Sequence, residues 1–270
     1  MKKIPTLFIP HGGGPCFFMD WNPPDAWDRQ AAYLRNLPNS ITQNPEAILI
    51  VSGHWEEDVA TVQSNPMPEL LFDYYGFPEH TYELKYPAPG HPILSARVVE
   101  LLKSSGIQVN TNTNRGYDHG VFIPLKLAFP EANIPIVQLS LRNDLDPVAH
   151  IKMGAALQSL RSEGVLIIGS GNTYHNMEVM MRSMKTGGSG DIAGQKFDAW
   201  LTNTICHPDP EKRNVMLSQW AKAPGAADAH PREEHLMPLH VVAGAAGTSI
   251  GMKTLEDHVL GAVESAFSFG

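Results

Sequence analysis

Three histidines of this chain stand in one kind of setting. His11 follows Leu7-Phe8-Ile9-Pro10 and precedes Gly12-Gly13-Gly14. His54 follows Ile48-Leu49-Ile50-Val51-Ser52-Gly53, and His175 comes after Leu166-Ile167-Ile168-Gly169-Ser170-Gly171-Asn172. Each stands just beyond an apolar, strand-like run, where open α/β sheets present groups to a crevice. Each also has glycine nearby, where a missing Cβ permits a sharp turn or a close approach. One such histidine is as well explained as a hydrogen-bonded packing residue. Three in the same setting point to a metal, because imidazole nitrogen is a common ligand of Zn(II) and Fe(II).

Two further segments carry candidates. Gly116-Tyr117-Asp118-His119-Gly120 opens an apolar stretch, and Asp118 beside His119 is a candidate tuner of its basicity. Glu233-Glu234-His235 begins a helix-like run, where a carboxylate or an imidazole can complete a metal shell. The plainer reading of Glu233 and Glu234 is first-turn acids set against a helix dipole. His80, His91, His150, His207, His230, His240 and His258 lack a glycine-framed strand end and read as solvent or packing residues. No GxSxG, P-loop or GxGxxG fingerprint occurs, which removes the common hydrolase, nucleotide and dinucleotide signatures.

The elements that must position these residues are short. Thr6–Pro10, Glu46–Ser52, Ile134–Leu139 and Val165–Gly169 read as strands whose near-continuous hydrophobicity suits burial on both faces. Pro92–Lys103, Pro147–Arg161, Asp191–Ile205 and Arg232–Ala246 read as amphipathic helices between them. This alternation predicts an α/β fold: a single domain over residues 1–270, with a central mostly parallel or mixed sheet flanked by helices and an active site at strand C-terminal ends. Residues Asn65–Gly90 are too apolar and aromatic for a solvated linker and read as a loop packed over something, whereas Lys185–Gly190 (KTGGSG) reads as a surface turn.

Composition bounds the function. Of 270 residues, 43% are hydrophobic and 18% charged, enough for a sizeable core. A formal charge of −8 without any Lys/Arg cluster argues against a nucleic-acid partner. Cys16 and Cys206 form no CxxC pair, so a disulfide framework or thiolate site is not expected. No run of about 18 apolar residues occurs, and the N-terminus lacks a signal-peptide apolar region, so a cytoplasmic protein without a membrane span is expected. No coiled-coil period or exposed apolar helix marks an interface, which leaves the oligomeric state undetermined.

Six segments, in order along the chain, carry a resemblance: PTLFIPHGGGP, AILIVSGHWEE, FDYYGFPEHTYELKYPAPG, GYDHGVFIPLKLAFPEANIPIVQLSL, LIIGSGNTYHN and HPREEHLMPLHVVAGAAG. Through them the chain resembles the DODA-type extradiol ring-opening dioxygenases, the family of 4,5-DOPA dioxygenase within the class III extradiol superfamily. The resemblance implies extradiol cleavage of a catechol-type ring by dioxygen. It places His11, His54 and His235 as metal ligands, His175 at or on the metal as acid/base, and His119 beside substrate or oxygen. The superfamily pattern has two histidines and a carboxylate, so Glu234 stands as the alternative to His235. The first loop also departs, reading His-Gly-Gly-Gly-Pro where many relatives have His-Gly-Ser/Ala-Pro.

Fe(II) is the implied metal for turnover, although an imidazole-rich site also accommodates Zn(II). The implied partners are a small aromatic diol and dioxygen. Phe72, Tyr74, Tyr75, Phe77 and Tyr86 offer an apolar wall for the ring or, equally, anchors for their own loop. A zinc hydrolase, and a non-catalytic metal-binding interaction protein of the same fold, are the competing readings. A requirement for dioxygen separates the first of these from the dioxygenase.

Overall fold

The computed structural model describes residues 3–41, 43–186 and 191–270. Its strands are β1 (Thr6–Pro10), β2 (Ala47–Glu57), β3 (Ala60–Gln63), β4 (Val109–Asn112), β5 (Ile136–Arg142), β6 (Val165–Gly171), β7 (Gly251–Val259) and β8 (Ala262–Phe269). Its helices are α1 (Asp28–Ser40), α2 (Pro92–Ser104), α3 (His119–Ala128), α4 (Pro147–Ala156), α5 (Met177–Thr186), α6 (Ile192–Ile205), α7 (Pro210–Ser218), α8 (Ala226–Ala229) and α9 (Met237–Ala246).

The strands form one mixed sheet in the order β4-β3-β5-β2-β6-β1-β8-β7. Its centre, β5-β2-β6-β1, is parallel, while β8 joins β1 antiparallel and β3 meets β5 antiparallel. The central strands are apolar throughout because side chains alternate across a sheet covered on both faces. Ala47, Leu49 and Val51 of β2 enter a core with α2, α4, α6 and α9, whereas Ile48 and Ile50 enter the opposite core with α1 and α3. The fold is therefore the expected single-domain α/β arrangement with a mixed sheet flanked by helices.

Register sets the site. Pro10 pairs with Gly171 and Ser52 with Ser170, so β1, β2 and β6 end their mutual pairing level with one another. The residues that follow each of these pairs share one edge of the sheet.

Several sequence readings need correction. Strand β2 does not end at Ser52 but continues to Glu57, leaving β6 and resuming register with β5 at Glu56 after an irregularity. His54 thus lies within a strand, and the Ser52-Gly53-His54 stretch hides this because its residues break the apolar pattern. The helix expected over Arg232–Ala246 begins only at Met237, with Pro238 in its first turn, where a missing N–H costs no helical bond. Glu233, Glu234 and His235 therefore precede the helix, and its first turn holds no acid. Helix α4 stops at Ala156 and gives way to a 3-10 turn over Gln158–Ser162. Lys185 and Thr186 close α5; the rest of the expected surface turn, 187–190, lies outside the described residues.

The sheet's far end is tied by one side chain. Arg161, fully buried, donates from Nε to the Ile4 carbonyl (2.8 Å), from Nη1 to Ala246 (2.7 Å) and from Nη2 to Phe269 (3.1 Å). It joins the entry of β1, the end of α9 and the end of β8. Hydrogen bonds from a charged donor contribute about 1.5–3 kcal/mol each, and a buried carbonyl left without a donor costs about 1–3 kcal/mol. Arg161→Met is expected to lower the unfolding free energy by about 3 kcal/mol or more. Urea denaturation should show this as a lower midpoint at unchanged slope.

Candidate active site

At the shared sheet edge three imidazoles converge. His11 follows β1, His54 lies in β2, and His235 comes from the turn before α9. The His54 Nε2 atom is 3.3 Å from His11 Nε2 and 3.2 Å from His235 Nε2. His235 is delivered by backbone contact rather than by helix geometry: its carbonyl accepts from the Asn172 N–H at 3.1 Å. That approach requires glycine at 171, where a Cβ would stand 2.1 Å from the same carbonyl oxygen.

A carboxylate holds this cluster on each side. Glu234 Oε1 accepts from His235 Nδ1 at 2.8 Å and also lies 3.1 Å from His175 Nδ1. The His175 and His235 rings stack at 3.4 Å with 18° between their planes. Glu234 is held in turn by Arg232, whose guanidinium also grips Glu56. Across the cluster, Asp73 Oδ1 accepts from both the backbone N–H (2.9 Å) and Nδ1 (2.8 Å) of His119. Its Oδ2 stands 3.6 Å from His54 Nδ1, and the His54 and His119 ring centres are 3.9 Å apart.

The electrostatics follow from burial. Desolvation and the neighbouring imidazoles hold His11 and His235 well below the usual histidine range, and burial takes His54 down to about 4. All three are neutral near pH 7. Burial acts to raise the Asp73 and Glu234 carboxyls, but hydrogen bonds from His119 and His175 respectively outweigh it, so both stay ionised. Because Glu234 only accepts, the hydrogen of neutral His235 sits on Nδ1 and its Nε2 presents a lone pair. The charge of Asp73 favours the same tautomer at His54. Two lone pairs 3.2 Å apart repel unless a cation lies between them.

The donor set therefore fits a metal. Two nitrogens bound tetrahedrally to one ion at 2.0–2.1 Å stand about 3.3 Å apart. Among the described residues, His11, His54 and His235 are one of three groups whose ligand atoms lie within 4.8 Å of one another; the others are His54-Asp73-His119 and His175-Glu234-His235.

All five expected histidines line one cavity of about 660 Å³. Of the expected aromatic wall, Tyr74, Tyr75 and Phe77 line it, whereas Phe72 packs on Phe122 and Tyr82, and Tyr86 is buried in the core. Asp118 does not face His119; it accepts from Ser52 Oγ, Arg115 and Gln138, and Asp73 takes the tuning role. Asp73, Glu264, Trp21 and Trp27 were not singled out from the sequence. An acid inside the apolar run Leu71-Phe72-Asp73-Tyr74 was the available sign for Asp73. His230 and His240 bond to backbone carbonyls and pack as expected.

The fold is shared with an uncharacterized protein of Escherichia coli K12. Its crystal structure superposes with a TM-score of 0.78 at 27% identity, covering 99% of this chain and 100% of that one. Residues 5–268 match the family described as the catalytic LigB subunit of aromatic ring-opening dioxygenase, and the chain belongs to that family. It is 38% identical to the 4,5-DOPA dioxygenase extradiol of Beta vulgaris over 98% of this chain and 95% of the relative. It is 36% identical to the dioxygenase tasH of Hapsidospora irregularis, over 97% of this chain and 84% of that one. A 4,5-DOPA dioxygenase extradiol of Escherichia coli K12 is 30% identical over 90% and 85%.

Gly171→Ala tests the delivery of His235. The added Cβ forces the turn before α9 off β6, an overpacking that costs about 1–3 kcal/mol. Zn(II) titration against a chelating dye should show affinity at least tenfold weaker, with the circular dichroism spectrum retained.

Proposed function

We propose that the whole chain acts as one catalytic unit that cleaves a catechol-type ring in extradiol fashion with dioxygen, using Fe(II) held by His11, His54 and His235. The observation that carries this reading is the pairing of three convergent imidazoles with two more histidines, each held by its own carboxylate, in one apolar cavity. When bound, the iron supplies positions for the diol oxygens and for dioxygen, and a redox state through which they can react.

The protein groups divide the remaining work. Lone pairs lie in ring planes, so the nearly parallel His175 and His235 rings cannot aim both at one point. This supports His175 as a base rather than a further ligand. Glu234 takes the Nδ1 hydrogen of His175 and leaves Nε2 to accept a proton from the diol. Asp73 does the same for His119, which is suited to hold or return a proton at the substrate. Glu234 also fixes the tautomer of His235 and raises its basicity, the usual task of a carboxylate behind a ligand histidine. It is therefore assigned an orienting role, with His235 as the ligand. Tyr74, Tyr75 and Phe77 flank the ring site and help to exclude water.

No helix among the described residues is long and apolar enough to cross a membrane. A cytoplasmic setting suits the free thiols Cys16 and Cys206 as well as a ferrous ion. The same three imidazoles also suit Zn(II) with an activated water, the basis of the hydrolase reading.

Anaerobic loading with Fe(II), followed by catechol and air, should give a yellow ring-opened product with matching oxygen uptake. The zinc-loaded protein should give neither, and an iron-loaded, folded sample that consumes no oxygen with any catechol overturns the proposal. His54→Ala should lose bound metal and turnover together. His175→Ala should keep its metal while losing roughly 10²–10⁴-fold in rate, the usual worth of a positioned base.

A further inference from the structure

Helix α5 places Met177, Met180, Met181 and Met184 on the wall of the histidine cavity. The spacing i, i+3, i+4, i+7 is that of one helix face, and from sequence alone such a stripe reads as core. The structure shows otherwise: Met180 is buried, but Met177, Met181 and Met184 are 50%, 43% and 36% exposed. No exposed apolar helix was expected in this chain, and this one opens onto the site. Methionine is flexible and polarisable, and lines surfaces that accept apolar groups of varied shape.

Trp21 and Trp27 also line the cavity. A cavity of about 660 Å³ lies within the roughly 300–1,000 Å³ range of sites for drug-sized ligands and exceeds what a single ring fills. Its polar equipment is one-sided. Among the described residues no Lys or Arg lines it. Among the described residues its one acidic side chain is Glu264, buried with a carboxyl oxygen accepting from the Thr173 N–H at 2.9 Å. Burial pushes that carboxyl up to about 8, so near neutral pH it is mostly protonated. A carboxylate on the substrate's side arm would find no cation on this lining; Arg182 and Lys185 of α5 border a separate surface pocket with Met177 and Met181.

Resting on the extradiol reading above, we propose that the preferred substrate is a catechol bearing an uncharged, apolar side arm, seated against the α5 methionines and the two tryptophans. Catechols with a carboxylate on the arm are selected against. The ring stays at the histidines, and only the arm reads the methionine wall.

The test uses the full, Fe(II)-loaded chain with 4-methyl-, 4-ethyl- and 4-butylcatechol against protocatechuate and DOPA. Oxygen uptake gives kcat/KM, and anaerobic calorimetry gives dissociation constants independently of turnover. Each added methylene should tighten binding up to about fourfold where fully buried. The butyl compound should exceed both carboxylated catechols at least tenfold in kcat/KM. Met181→Lys, at a half-exposed position the fold can tolerate, should shift the butylcatechol-to-protocatechuate ratio at least tenfold toward protocatechuate. Equal or better use of DOPA or protocatechuate by the unaltered chain overturns the proposal, as does a ratio that Met181→Lys leaves unchanged. If no catechol is cleaved, the extradiol reading fails by itself, and the calorimetric ranking still decides: alkyl over carboxylate supports the methionine-wall assignment, and the reverse overturns it.

Discussion

Imidazole nitrogens held 3.2–3.3 Å apart in a buried place are an arrangement that no local preference favours. The neutral rings repel through their facing lone pairs, and burial removes the water that would separate them. Something must hold them, and here it is the sheet. The level ends of β1, β2 and β6 set two of the three backbones, and the third is pinned to the same edge by the Asn172 to His235 hydrogen bond. The small residues at 53 and 171 exist at this edge because the turn bearing Glu234 and His235 crosses directly over them.

The same electrostatic device appears twice around that cluster. Glu234 bridges His235 and His175, and Asp73 bridges His119 and His54. In each case one carboxylate faces a histidine of the convergent trio and a histidine beside it. Being acceptors only, the carboxylates draw hydrogens to the outer Nδ1 atoms and leave the inner Nε2 atoms basic. They also supply negative charge where an incoming cation needs it. Each acid is kept ionised despite burial by the hydrogen bonds it accepts, so the orienting groups and the oriented groups stabilise one another.

This explains which parts of the site were legible in the sequence. His11 directly follows an apolar run and His175 follows one after a short glycine-bearing stretch, so apolar pattern and glycine together marked them. His54 was visible for the same reason, although its strand continues past it through residues too polar to signal a strand. The helical pattern ran too far back over Glu233–His235, because the turn before α9 has no glycine or proline until Pro238 to announce it. Asp73 acts across 46 residues of chain on His119, a pairing that neither period nor spacing encodes. The hairpin β7–β8 escaped for a different reason. Its polar content, with Lys253, Glu256, Asp257 and Glu264, masked an edge strand, β7, that alternates as a half-buried margin does, and a buried strand, β8, beside it.

The placement of His235 finally depends on how α9 is buried. Every residue of this helix is buried, so its last carbonyls have no access to water, and a helix so enclosed would ordinarily leave them unsatisfied. Two buried guanidiniums meet that need: Arg161 donates to Ala246, and Arg213 donates to Ala243, Gly247 and Ser249. Positive charge at a helix C-terminus is also favourable to the dipole. Gly154 of α4 and Gly244 of α9 let the two backbones approach to distances a Cβ would forbid. The helix is thereby clamped at one end and closely packed along its length. Its other end, with the Glu234-His235 turn, is then held to the sheet edge by a support that does not involve the site at all.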